Sequence, residues 1–162
     1  MKPIIVTIGV YGFNEQSFFQ ALQDAQIDTL CDIRARRGVR GAEYAFANSE
    51  RLQRRLAELR IRYVYLKQLA PLPEVRRLQK QEDKQTKTAK RQRGMLGETF
   101  QQAYRQTCLA ELDRTRLFRQ IGEEARTIAL LCVERTPEAC HRSLVAEWLG
   151  QELGLTVKHI LP

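Results

Sequence analysis

The stretch Leu131-Cys132-Val133-Glu134-Arg135-Thr136-Pro137-Glu138-Ala139-Cys140-His141-Arg142 holds the densest set of reactive side chains in the chain. Glu134 and His141 are the candidate catalytic residues. A carboxylate there can act as a general base or hold a substrate hydroxyl, and an imidazole titrates near neutrality. Arg142 can offer a bidentate guanidinium to a phosphate or carboxylate, and the free N–H groups of a helix start favour the same anion. Cys140 sits beside basic groups near a helix start, where a thiol is acidified, although a packing role is the plainer reading. Asp32 and Arg34, at the end of a second apolar run, complete the set of candidate ligand-binding residues. Each residue also has a structural reading. Arg142 can pair with Asp32 or Glu134, Asp32 can accept loop N–H groups, and His141 can donate to a nearby loop carbonyl.

Spacing argues against several sharper schemes. A cysteine-phosphatase or rhodanese loop needs an arginine six positions after its cysteine, and six after Cys132 stands Glu138. No metal site is expected. Cys132, Cys140, His141 and distant His159 lack paired ligands at short spacing, and adjacent helical residues point about 100° apart. Gly9-Val10-Tyr11-Gly12 fits neither a dinucleotide nor a P-loop fingerprint, so no cofactor is expected either. Cys31, Cys108 and Cys132 fall in apolar or helical patterns and read as buried free thiols. His159, between Val157 and Ile160, reads as a satisfied buried histidine.

The elements that must position these groups follow from hydrophobic periodicity. Strands are expected at residues 4–8, 29–34, 62–66, 127–133 and 156–160. The run at 127–133 is nearly continuous in apolar residues and suits a central parallel strand. Helices are expected after Asn14, after Asn48 or Ser49, through Phe100 to Cys108, and through Leu117 and Ile121. The last helix is expected to start at Thr136-Pro137-Glu138 and to stop at Gly154. The alternation predicts a single α/β domain over 1–162, with a mostly parallel central sheet of about five strands, helices on both faces and three layers. Ligands in such folds bind beyond the carboxyl ends of the strands.

At this point a family resemblance is visible. Thr7-Ile8-Gly9, Asp32-Ile33-Arg34, Leu131-Cys132-Val133-Glu134, Cys140-His141-Arg142 and Lys158-His159-Ile160 carry it. Leu69-Ala70-Pro71 with Glu74-Val75-Arg76, Phe100 and Tyr104 extends it through the middle. The sequence resembles the bacterial and archaeal domain of unknown function 488. The resemblance implies a compact α/β fold with a shared site, to which Arg76 and Tyr104 would contribute. It departs from the family after the first glycine, where Val10-Tyr11-Gly12 replaces a frequent His with Ser or Asn.

Composition bounds the partners. The 162 residues carry a net charge of +8, and the segment from Arg76 to Arg93 supplies six of those charges. That segment is expected to form a basic mobile or helical insertion around 76–94. Lys84, Lys87, Lys90, Arg91 and Arg93 are the candidate nucleic-acid contacts there, although no stacking aromatic accompanies them. A charge run is also often only a solvated surface. No apolar run approaches a membrane span and no leader pattern precedes the first strand, so a cytoplasmic protein is expected. The leading expectation is an anionic ligand, a nucleotide or nucleic-acid component, bound at 132–142 with or without hydrolysis or group transfer. The rival is a nucleic-acid-associated protein that binds through 76–93 and uses 132–142 as scaffold.

Overall fold

The computed structural model describes residues 2–88 and 94–162. Five strands, β1 (Ile4–Ile8), β2 (Thr29–Asp32), β3 (Arg62–Tyr65), β4 (Thr127–Leu131) and β5 (Thr156–Ile160), form one parallel sheet. Their order is β3-β2-β4-β1-β5. β4 is hydrogen-bonded on both edges and covered on both faces, which explains its continuous apolar run. β5 is an edge strand with Thr156, Lys158 and His159 exposed. His159 therefore lies at the surface rather than in the core, with Nδ1 hydrogen-bonded to Thr7 Oγ1 at 2.7 Å.

Strand alternation divides the core into two layers. Val6, Ile8, Leu30, Ala129 and Leu131 pack under helices α1 (Glu15–Asp24) and α2 (Ser49–Glu58). Ile5, Cys31, Ile128 and Leu130 pack under α3 (Pro73–Thr86), α4 (Glu98–Tyr104), α5 (Arg114–Ile121) and α6 (His141–Leu153). The expected three-layer α/β architecture is what the chain adopts. Asn14 caps α1 by accepting from Ser17 N at 2.8 Å, and Ser17 Oγ accepts in return from Asn14 N. Asn48 precedes α2, but its Oδ1 accepts from Val39 N and so ties down the preceding loop instead.

β2, β3 and β4 end one or two residues earlier than expected, and two helix boundaries also differ. Pro137–Ala139 form a 3-10 turn, Cys140 is extended at φ −139° and ψ 146°, and α6 begins only at His141. The Pro137 carbonyl accepts from Cys140 N and closes that short turn, so the chain restarts as a helix one residue later. α4 passes into a wider π turn over Arg105–Leu109, which keeps Cys108 buried. The basic stretch is helical through Thr86, while Lys90, Arg91 and Arg93 fall outside the described residues. Among the described residues no helix is long and apolar enough to cross a membrane.

All four cysteines are buried and free. Burial pushes the Cys31 thiol up to about 12. An unfolded chain ionises the same thiol near about 8.5. The folded value is the higher one, so the stabilisation is complete below the unfolded value and is lost as pH rises towards the folded value. Urea unfolding should therefore show stability declining across that alkaline window, with a shallower decline in Cys31→Val. Equal slopes in the two proteins would refute the assignment.

Candidate functional site

The ladder ends at Ile8, Asp32 and Leu131, which stand in register across β1, β2 and β4. From β2 the chain leaves towards β3, and from β4 it leaves towards β5 on the opposite side of the sheet. Divergence of two adjacent strands opens a crevice at their carboxyl ends. A cavity of about 810 Å3 lies there. Tyr11 enters from the β1 loop, Arg34, Arg36, Val39 and Arg40 from the β2 loop, and Cys132, Glu134, Cys140 and His141 from the β4 loop. Arg76, Gln79, Lys80 and Asp83 complete it from α3, with Phe100 from α4. Their spacing of i, i+3, i+4 and i+7 presents one helix face to the cavity.

Arg34 and Asp32 form a buried ion pair. Arg34 Nε donates to Asp32 Oδ1 and Nη2 to Oδ2, both at 2.8 Å, while Nη1 donates to the Ala47 carbonyl at 2.7 Å. Asp32 also accepts from Arg34 N and from the Tyr63 hydroxyl. The Nε–Nη2 edge, which could chelate a phosphate side-on, is thus engaged internally. Arg142 is equally buried. It donates from Nη1 to the Glu134 carbonyl at 2.6 Å and from Nη2 to the Arg135 carbonyl at 3.2 Å. It pairs with neither Asp32 nor a ligand position on the cavity wall; it fastens the loop after β4 to the start of α6. Gly9 makes that closeness possible, because a Cβ there would stand 1.9 Å from the Glu134 carbonyl oxygen.

His141 Nε2 lies 2.7 Å from the Ile33 carbonyl oxygen. A carbonyl only accepts, so Nε2 carries a proton and donates it. Nδ1 faces Cys132 Sγ at 3.6 Å and Cys140 Sγ at 3.9 Å. The three donor atoms lie within 4.8 Å of one another. This overturns the argument that neighbouring Cys140 and His141 must diverge. Cys140 is an extended capping residue, so the 100° helical offset does not apply to it. Burial opposes ionisation of Cys140, but the Cys132 hydrogen bond together with His141 and Arg142 holds its thiol well below the ordinary value. Burial and the neighbouring Cys140 push Cys132 the other way.

Tyr104 does not line the cavity. Its hydroxyl donates to the Leu69 carbonyl at 2.6 Å, and its ring packs 5.5 Å from the His141 ring and backs it. Arg76 does reach the cavity wall, and its buried Nε has no hydrogen-bond partner. Glu134 lines the cavity and is buried. Lys84 and Lys87 are exposed outside it. Sequence reasoning missed Arg36, Arg40 and Lys80 as wall residues and Cys132 as a partner of His141. The spacing of Lys80 from Arg76 was the available signal for one of them.

The fold and the site define an α/β protein with a thiol–imidazole cluster at the floor of a switch-point cavity. The profile of the domain of unknown function DUF488 matches residues 15–149, and the chain belongs to that family. Thr7-Ile8-Gly9 and Lys158-His159-Ile160 lie outside the matched span. No curated protein and no solved structure matches the chain.

Proposed function

We propose that the protein binds a phosphate-bearing ligand, a nucleotide or nucleic-acid component, in the cavity between the β2 and β4 ends. The observation that carries this reading is the convergence of Arg36, Arg76 and Lys80 on a cavity floored by Glu134, Cys132, Cys140 and His141. A volume of about 810 Å3 falls in the range of small-ligand sites. Arg76 supports it most, because a buried guanidinium nitrogen without a partner is costly and gains one when an anion enters. Phe100 and Leu96 supply an apolar wall against which a ring can lie. Glu134, on the cavity wall, is the group available for proton transfer in a hydrolase or transferase, because both His141 nitrogens are already engaged. Arg34 and Arg142 support the reading as scaffold that fixes the two loops.

The second reading, nucleic-acid binding along the basic segment, has its own observation. Arg77 and Lys84 are exposed on α3, and exposed Lys87 follows its end. The two surfaces share a helix, so a strand entering along α3 would deliver one nucleotide to the cavity.

A thermal-shift screen with nucleotides, sugar phosphates, inorganic anions and short DNA and RNA separates the readings. A ligand at 100 times its dissociation constant stabilises a fold by about 2.7 kcal/mol. Arg76→Ala should weaken a cavity ligand at least about tenfold, the cost of one charge-assisted hydrogen bond. Binding that ignores Arg76→Ala, falls in Lys84→Ala with Lys87→Ala, and drops steeply with salt would move the function to the helix surface.

A further inference from the structure

We propose that Cys132 Sγ, Cys140 Sγ and His141 Nδ1 form a binding site for one zinc-like divalent ion, with its fourth position open to the cavity. The two sulfur–nitrogen separations are close to those a metal would impose. An ion about 2.3 Å from sulfur and about 2.0–2.1 Å from nitrogen, at tetrahedral angles, sets sulfur–nitrogen separations of about 3.6 Å. The observed values are 3.6 and 3.9 Å, and all three atoms lie within 4.8 Å of one another.

With its proton on Nε2, His141 has a single lone pair at Nδ1, which accepts from one thiol and not two. The two thiols also hydrogen-bond to each other, so the cluster is held by a contact to Nδ1 and a contact between the sulfurs. A metal ion satisfies all three donors together.

The surroundings match a ligand set held in advance. The Nε2 proton goes to the Ile33 carbonyl, the kind of outer contact that orients a ligating histidine. The Tyr104 ring backs the imidazole. Arg142, fastened to the Glu134 and Arg135 carbonyls, fixes the connection between the two cysteines. Three protein donors with an open fourth position are the pattern of reactive rather than purely structural sites. Because all three residues line the cavity, the open position faces the space where a ligand would sit. Water or an anionic oxygen of that ligand is the chemistry it would take.

The three donors do not include Arg76, and one titration tests the metal site independently of anion binding. Reduced, chelator-stripped protein is titrated with Co2+ and then with Zn2+ in competition. One equivalent of Co2+ should produce thiolate-to-metal charge-transfer absorption with the visible bands of a four-coordinate site, and Zn2+ should abolish both. Altering an outer contact of a metal site costs about 10–100-fold in affinity, so removing a ligand should cost at least about 100-fold. Cys140→Ser and His141→Gln should each show that loss, with circular dichroism confirming that they fold. Cys31→Ser with Cys108→Ser and, separately, Arg76→Ala should leave the spectrum unchanged. An absent charge-transfer band in protein with four titratable thiols, or a full band in folded Cys140→Ser, would overturn the proposal. Either result would leave anion binding by Arg76 standing.

Discussion

Gly9→Ala should destabilise the fold by about 3 kcal/mol or more, although it adds one methyl group. The new Cβ would stand 1.9 Å from the Glu134 carbonyl oxygen, 2.9 Å from its carbon and 3.0 Å from Arg142 Nη1. The obstacle is backbone held from several directions. Arg142 binds that same oxygen at 2.6 Å, while Val10 N and Tyr11 N both donate to the Val133 carbonyl at 3.0 Å. Moving Glu134 away breaks a hydrogen bond of a buried guanidinium, and keeping it compresses the methyl group. Overpacking costs about 1–3 kcal/mol and a lost charge-assisted hydrogen bond about 1.5–3 kcal/mol. For a chain of this size such a loss lowers Tm by about 10 °C. Gly38→Ala is the control, since its Cβ would meet only Asn48 Oδ1 at an ordinary 3.7 Å. Its expected change is within about 0.5 kcal/mol. Equal melting temperatures for wild type and Gly9→Ala would show that the β1 and β4 loops are not locked together as described.

The fold was legible because its signals are local and repeated. Short β-rich or apolar runs marked all five strands, and Asn14 and Gly154 marked the start of α1 and the end of α6. The site was legible only as a region. Which side chain meets which depends on where the chain leaves the ladder, and a one-residue change there redirects a side chain. Cys140 shows this most clearly. Periodicity assigned it to the helix, but the Pro137–Ala139 turn makes it an extended cap whose sulfur turns towards His141. Arginine roles were ambiguous for a different reason. Asp32 lies two residues from Arg34, and sequence alone does not tell an internal partner from a neighbour. Arg76 was visible through the family resemblance, whereas Arg36 became a wall residue only through the packing of α3 beside the β2 loop.

Asp32→Ala should cost about 3–5 kcal/mol, the penalty for leaving a buried charge without its partner. Asp32 and Arg34 are 0% and 1% exposed, so little water can compensate. The carboxylate also accepts the Tyr63 hydroxyl at 2.6 Å, and that donor would be stranded too. Arg34→Met, by contrast, leaves a carboxylate that keeps the Tyr63 hydroxyl while losing the guanidinium. The double variant Asp32→Ala with Arg34→Met removes both charges, and replacing a buried pair by apolar groups is often close to neutral. A double-mutant cycle in urea should therefore be strongly non-additive, the double variant losing far less than the two singles together. Additive losses would mean that the pair is not the electrostatic unit its geometry describes. The same three proteins test the scaffold role. Arg34 already commits its Nε–Nη2 edge to Asp32 and an Nη1 hydrogen to the Ala47 carbonyl. A folded double variant should thus retain the anion affinity that Arg76→Ala removes. Loss of that affinity would return Arg34 to the ligand.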